Sequence, residues 1–263
     1  MADSAALEEA ITQASSETET RIVLEAGVTF YAPASGLMVP SGARLTIESL
    51  GTGADKATVM GQGGRVLHVA HGLPSRKTEV TLSNLRLTHG RAADGLDGGA
   101  GGCVYVEHHV ELQLIRSEVS DCHAESDGGG IWIADGVALL LIDSVVSDCR
   151  AMCGASYEYF GGGGIFCSAS WGQDANAVTL ERSHLRDCHT ACHGGGVLLK
   201  HSSAFKLLAG SSIQDCSANS TWSAGSAACE LPHLCPLEPC SAISILGARV
   251  LPRQLSASNA LSS

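Results

Sequence analysis

Large aromatic side chains are scarce, because Phe, Trp and Tyr make up only 4% of the 263 residues. This scarcity excludes a core built mainly from large rings. Basic residues are also few, with 16 Lys and Arg against 27 Asp and Glu, which gives a formal net charge of −11. Phosphate binding needs clustered Lys and Arg, so the charge balance disfavours nucleic acid and an anionic membrane surface as partners.

Long apolar runs are absent as well. The longest strongly apolar run covers Val137 to Ile142, which is far too short to span a bilayer, so we expect no transmembrane segment. Residues Met1 to Ser4 carry neither the basic region nor the apolar region of a signal peptide. Two expectations follow: either the protein is intracellular, or the chain is a fragment of a longer protein.

Glycine and cysteine, in contrast, are abundant, with 31 and 11 residues respectively. Many glycines with few aromatics suit tight turns between short strands. Eleven cysteines are many for a cytosolic protein, and an odd number cannot pair completely within a secreted one. The cysteine count alone therefore does not decide the redox compartment.

Two short motifs repeat along the chain. Four copies of Gly-Gly-x-apolar, in which x is Gly or Cys, begin at Gly101, Gly128, Gly162 and Gly194. Each copy is followed by Ser-x-(Val/Leu/Ile)-x-Asp-Cys, at residues 117–122, 144–149, 183–188 and 211–216. The period is about 27 residues, with one insertion of about 12 residues between the second and third copies.

Within each repeat the apolar positions alternate, as at Val110, Leu112 and Leu114, which predicts short strands. Each repeat holds about three such strands and no stretch long enough for a crossover helix. A coil of stacked strands remains, an all-β parallel β-helix solenoid. Equivalent residues then stack about 4.8 Å apart. The predicted inward ladder consists of Val119, Val146, Leu185 and Ile213.

The first strand edge of a solenoid needs a cap. Ser4 can begin a helix over about residues 4–16, with Leu7, Ala10, Ile11 and Ala14 on one face. We therefore predict a β-helix with its capping helix over 1–228. Residues 229–263 contain Cys and Pro but no repeat, and we expect an irregular, partly disordered tail.

Two regions resemble known families. Residues 6–11 and 22–28 resemble the N-terminal cap and first strand of the pectin-lyase-like superfamily. The paired motifs resemble the Gly-Gly-Ala-Ile and Phe-x-x-Asn repeats of polymorphic outer membrane proteins, with an aliphatic residue for Phe and Cys for Asn. The resemblance covers roughly residues 5–225 and implies a right-handed β-helix of an extracellular or cell-surface protein. It does not fix an activity, because this fold hosts lyases, hydrolases and adhesins.

Family enzymes provide a test for catalysis. Polygalacturonase-like members need two adjacent or near carboxylates with Gly-His-Gly and Arg-x-Lys segments, and this sequence has no Asp-Asp pair, no Gly-His-Gly and no Arg-x-Lys. Pectate-lyase-like members use an Asp cluster for Ca²⁺. The comparable set in this chain is one Asp per repeat: Asp121, Asp148, Asp187 and Asp215. These residues either bind Ca²⁺ or, as their uniform recurrence favours, serve a turn. No catalytic residue can be assigned, and an enzyme with an unrecognised site is the alternative function.

The cysteines that follow these aspartates, at 122, 149, 188 and 216, either bind a soft metal or pack as small apolar side chains, and we favour packing. A Cys/His metal-binding module is a third hypothesis, with Cys188, Cys192, His189 and His193 as candidate ligands. The spacing Cys149-x3-Cys153 recurs as Cys188-x3-Cys192 in the adjacent repeat, which suggests a second Cys pair beside the first. A disulfide across that turn suits an oxidising compartment. Asn219 begins a glycosylation sequon.

One position of the first motif is aromatic in three repeats, at Tyr105, Trp132 and Phe166. Alternation with the inward Val104 and Val106 predicts that these rings face outward and form a sugar-stacking strip. The leading hypothesis is therefore a non-catalytic β-helix module, surface-displayed or secreted, that binds a carbohydrate or another surface protein.

Overall fold

The computed structural model describes residues 4–93, 98–152, 161–169, 174–200, 203–218, 243–246 and 249–250. In this part of the chain the strands form four sheets in which every pair of neighbouring strands is parallel. The chain visits the sheets in turn and then moves one strand along each of them, so that one circuit makes one rung of a parallel β-helix. The predicted fold class is confirmed.

Within each sheet, neighbouring strands are hydrogen-bonded in the order in which the chain reaches them. Sheet 1 contains Thr20–Leu24, Arg44–Ser49, Thr78–Ser83, Val110–Ile115, Ala138–Ile142, Ala177–Glu181, Ala204–Leu207 and Arg249–Val250. Sheet 2 contains Leu37–Val39, Leu67–Val69, Val104–Val106, Ile131–Ile133, Ile165–Cys167, Val197–Lys200 and Ile243–Leu246. Sheet 3 contains Thr29–Ala32, Ala57–Gly61, Leu85–Thr88, Glu118–Ser120, Val145–Ser147, His184–Arg186 and Ser212–Gln214. Sheet 4 consists of two-residue strands at Arg91–Ala92, His123–Ala124, Arg150–Ala151, His189–Thr190 and Ser217–Ala218.

The core is the interior of the coil, filled by every second residue of each strand. The predicted ladder pairs in register, Val119 with Val146, Val146 with Leu185, and Leu185 with Ile213. The first three of these side chains are completely buried, and Ile213 packs against the same core. Parallel strands in register repeat the same apolar position on successive rungs, and this produces one continuous core from short strands.

The serine that opens the second motif has a structural role between sheets 1 and 3. The hydroxyl of Ser144 accepts a hydrogen bond from the backbone N of Ser117 (3.0 Å) and donates to the carbonyl of Leu114 (3.0 Å). Ser183 accepts from Ser144 N in the same way, at 3.0 Å. Buried backbone groups at a turn need partners, and a stacked column of serine hydroxyls supplies them.

Glycine in the first motif is required by close packing between rungs. A Cβ atom on Gly129 would lie 2.3 Å from the carbonyl oxygen of Gly163 on the next rung. No side chain fits at that distance, so the backbones of successive rungs can approach only where the position is Gly.

The capping helix spans Ser4–Thr12, shorter than the predicted 4–16, with Leu7 and Ile11 buried. Ser4 lies within the helix, and its hydroxyl accepts a hydrogen bond from Tyr31 N at 2.9 Å. A short 3₁₀ helix, Gly53–Asp55, joins sheets 1 and 3 in an early rung. Strands Ile243–Leu246 and Arg249–Val250 extend sheets 2 and 1 within the segment where we expected an irregular tail. No helix in the described residues is long and apolar enough to cross a membrane.

Candidate functional site

The outer face of sheet 2 carries the aromatic residues that the first motif places there. Tyr105 pairs with Trp132, and Trp132 with Phe166, while the flanking Val104 and Val106 are buried. The rings of Tyr105 and Trp132 lie 4.4 Å apart with their planes 2° from parallel, and Trp132 and Phe166 lie 6.4 Å apart at 12°. We call these three residues the aromatic column, since their rings stack along the solenoid axis.

Cationic side chains close both ends of the aromatic column. The Arg65 guanidinium lies 4.5 Å from the ring centre of Tyr105, and the Lys200 ammonium lies 4.9 Å from that of Phe166. Both contacts are within cation–π range. The ring faces are therefore occupied by each other and by the two cations. A sugar could approach only the ring edges of Tyr105 and Trp132, which are half-buried, whereas Phe166 is 1% exposed.

A second cluster lies beside the column, where the chain turns from sheet 2 to sheet 1. Glu107 Oε1 is 2.7 Å from His68 Nε2, and Glu107 Oε2 is 3.1 Å from His71 Nδ1. The His68 ring also meets Tyr105 edge-on, with the centroids 5.0 Å apart. Burial alone would raise the pKa of Glu107, but the hydrogen bonds from His68 and His71 outweigh it and lower that pKa.

The same corner repeats this chemistry on the following rungs. His108 Nδ1 lies 3.5 Å from Asp135 Oδ2, and His109 Nδ1 lies 3.4 Å from Asp174 Oδ2. Together with His68, His71 and Glu107, these residues form what we call the imidazole–carboxylate row. The row places hydrogen-bonding groups along the axis, parallel to the aromatic column. The sequence did not single it out, because the paired residues lie far apart in the chain, from 27 residues for His108 and Asp135 to 65 for His109 and Asp174.

A buried carboxylate lies on the opposite side of the column. Asp127 is 3% exposed and accepts hydrogen bonds from Gly161 N (2.7 Å) and Ser126 Oγ (3.1 Å). Burial raises the pKa of Asp127 to about 6, although the Gly161 hydrogen bond and the charge of Lys200 lower it. Burial also lowers the pKa of Lys200. A sequence signal existed, since Asp127 is the one acid directly before any of the four Gly-Gly-x-apolar copies.

The four repeated aspartates all lie at the turn that follows sheet 3. Asp121, Asp148, Asp187 and Asp215 have φ angles of 53°, 54°, 53° and 52°. This left-handed conformation is costly for most side chains but tolerated by Asp and Asn. The geometry explains why the position recurs without invoking a cation. Within the described residues no group of three or more His, Cys, Asp or Glu side chains is arranged to hold a metal.

The cysteines after these aspartates form a buried ladder inside the coil. Cys149, Cys188 and Cys216 are free thiols, whereas Cys122 forms a disulfide with Cys103. Cys103 occupies the third position of a Gly-Gly-x motif, which is Gly in the other three copies. In the next rung, a Cβ on Gly130 would lie 3.1 Å from Cys149 Sγ. Aligning the repeats could therefore have predicted the Cys103–Cys122 bond.

The candidate zinc ligands do not converge on one point. The Cys188 thiol points into the core, and its contact with Cys149 raises its pKa. His189 Nδ1 lies 2.8 Å from Ser217 Oγ of the next rung. Cys192 is in a disulfide whose partner lies outside the described residues. Cys153 and Asn219 also lie outside the described residues.

No protein-family model, no curated protein and no solved structure matches the chain.

Proposed function

We propose that the chain is a non-catalytic β-helix module of a surface-displayed or secreted protein and that it binds a carbohydrate along the corner between sheets 2 and 1. The observation that carries this proposal is the imidazole–carboxylate row beside the edges of Tyr105 and Trp132. Imidazole and carboxylate groups exchange hydrogen bonds with sugar hydroxyls. Their fixed positions on a stacked sheet reduce the entropy lost on binding.

Two further observations support this setting. Residues 6–11 and 22–28 resemble the pectin-lyase-like superfamily, and the paired repeat motifs resemble those of polymorphic outer membrane proteins. Both are families with surface or secreted members. The Cys103–Cys122 disulfide is typical of an oxidising compartment. Together they favour a secreted or surface-displayed module.

The arrangement of Glu107 supports binding over catalysis. Both carboxylate oxygens of Glu107 are engaged by imidazoles, at 2.7 and 3.1 Å, so this residue orients His68 and His71. A general acid or base in a polysaccharide lyase or hydrolase needs an oxygen directed at the substrate. We therefore place the carbohydrate-active enzyme second to the binding module.

A surface protein is the second candidate partner. Arg65, Tyr105 and Trp132 form one half-buried patch, and Arg, Tyr and Trp are the residue types enriched at the energetic centres of protein interfaces. A protein partner would depend on this patch and not on the histidines of the corner.

A polysaccharide array tests the proposal. We expect the protein to retain a neutral polysaccharide, and the bound chains should be recovered without shortening. The double variant His71→Ala, His108→Ala should weaken binding by about tenfold, since each lost hydrogen bond contributes roughly 0.5–1.5 kcal/mol. Both side chains are more than half exposed, so folding should be preserved.

The matched control is His184→Ala, an exposed histidine on the outer face of sheet 3. It should bind as the wild type does. Equal binding by the double variant would refute the corner as the site, and failure to retain any polysaccharide would refute the carbohydrate proposal. Recovery of shortened polysaccharide would favour a carbohydrate-active enzyme over a binding module.

A further inference from the structure

A pocket of about 370 Å³ lies on the same corner as the imidazole–carboxylate row, in the first rungs of the solenoid. Its walls are the chain after the capping helix, the turn at Gly42 and the turn at residues 73–76. The charged residues that line it are Arg44, Arg76, Lys77 and Glu79, and Ser16 and Ser75 line it as well. Three cationic residues around one pocket are unusual in a chain with 16 Lys and Arg and a net charge of −11.

The donors of these cations are largely unused. Arg44 bonds to Glu79 through Nε alone, at 3.1 Å, so its terminal nitrogens make no hydrogen bond within the described residues. Lys77 Nζ contacts Glu111 Oε1 at 2.8 Å. The Arg76 guanidinium forms neither an ion pair nor a hydrogen bond in the described part of the chain. Three cations and two carboxylates leave a local excess of one positive charge.

The backbone holds this arrangement in place. The N–H groups of Leu73 and Arg76 each donate to the carbonyl of the other at 2.9 Å, which closes the turn that carries Arg76. Gly42 N donates to Thr78 Oγ1 at 2.8 Å, and Ser41 Oγ donates to His71 O at 2.6 Å. These bonds join the two turns across neighbouring rungs and hold in place the backbone that carries the lining residues.

A guanidinium presents two parallel N–H donors that match the oxygens of a carboxylate or sulfate. The net charge of −11 repels a densely charged polyanion as a whole, whereas a single oxyanion gains from the local positive charge. We propose that this pocket binds the sulfate or carboxylate group of a sparsely charged acidic saccharide whose neutral part lies along the imidazole–carboxylate row. The assignment of the ligand as a saccharide rests on the proposed function, whereas the assignment of the pocket as an anion site does not.

Calorimetric titration of the full chain at low ionic strength tests the pocket with galactose 6-sulfate, galactose and sodium sulfate. We expect galactose 6-sulfate to bind about tenfold more tightly than either other probe. Arg76→Gln should reduce its affinity by about tenfold. Lys206→Gln, which removes an exposed cation elsewhere on sheet 1, is the matched control and should not change it.

No binding of galactose 6-sulfate, or equal binding by Arg76→Gln, would overturn the pocket. Sodium sulfate that binds as tightly as galactose 6-sulfate would overturn the saccharide assignment. If only the proposed function is wrong, no polysaccharide is retained on the array, but sodium sulfate still binds in a way that depends on Arg76. This result differs from failure of the pocket, in which Arg76→Gln has no effect.

Discussion

Replacing Asp127 by Asn should stabilise the protein at neutral pH but not at acidic pH. The carboxylate is 3% exposed, and its pKa is raised to about 6 from an ordinary value of 3.8. This difference corresponds to about 3 kcal/mol, since each pKa unit represents about 1.4 kcal/mol. Asn cannot ionise, and its amide can still accept the Gly161 hydrogen bond and donate to Ser126.

The direction of the pH dependence follows from the raised pKa of Asp127. A carboxyl group that is harder to ionise in the folded state contributes its full stability below the unfolded pKa of 3.8. That contribution is lost as the pH rises through about 6, where the folded group ionises. The free energy of unfolding of Asp127→Asn, relative to the wild type, should therefore increase by about 2–3 kcal/mol between acidic and neutral pH.

Urea unfolding of both proteins at about pH 4 and about pH 7.5 measures this increase. Asp143→Asn is a control of opposite sign. A hydrogen bond from Arg182 lowers the pKa of Asp143, so its replacement should destabilise the protein at neutral pH and have less effect as the pH falls through the lowered pKa. If the effect of Asp127→Asn is the same at both pH values, Asp127 is not a buried, ionising carboxylate and the argument fails.

Three substitutions test the solenoid interior and its turns by thermal and urea unfolding. Val146→Asp should cost about 3 kcal/mol or more, because it buries an unpaired charge at a completely buried position; an unchanged melting temperature would contradict the core assignment. Ser144→Ala should cost about 1–3 kcal/mol by leaving the buried N–H of Ser117 without its acceptor, and a neutral effect would mean that the serine column is not structural. Asp148→Asn should cost at most about 1 kcal/mol and Asp148→Val clearly more, because of the left-handed backbone. A melting temperature that falls with chelator in the wild type but not in Asp148→Asn would restore the Ca²⁺ interpretation.

Much of the fold could be predicted because the determining signals are local and repeated. Alternating apolar residues specify short strands, and a one-residue slip would turn Val119 and Val146 outward. The 27-residue period then requires equivalent strands to stack. The capping helix was predicted from Leu7 and Ile11, although it ends at Thr12, before the predicted end at residue 16.

The candidate site was only partly accessible to this reasoning. Alternation correctly placed Tyr105 and Trp132 on the outer face, but it carries no information on ring orientation. Stacking at 4.4 Å between rungs turns the ring faces toward each other, and Arg65 covers the remaining face of Tyr105. The predicted sugar-stacking strip stays a prediction, restricted by this geometry to ring edges.

The sequence by itself determined the period, the inward ladders and the positions of the turns, since each depends on residue types within one repeat. Tertiary structure alone decided the imidazole–carboxylate row, the cationic pocket and the burial of Asp127. Those features join turns from different rungs, and insertions of unequal length separate their residues in the chain. Side chains at such corners take their partners from the rungs above and below, so their contacts and pKa values are set by stacking and not by local pattern.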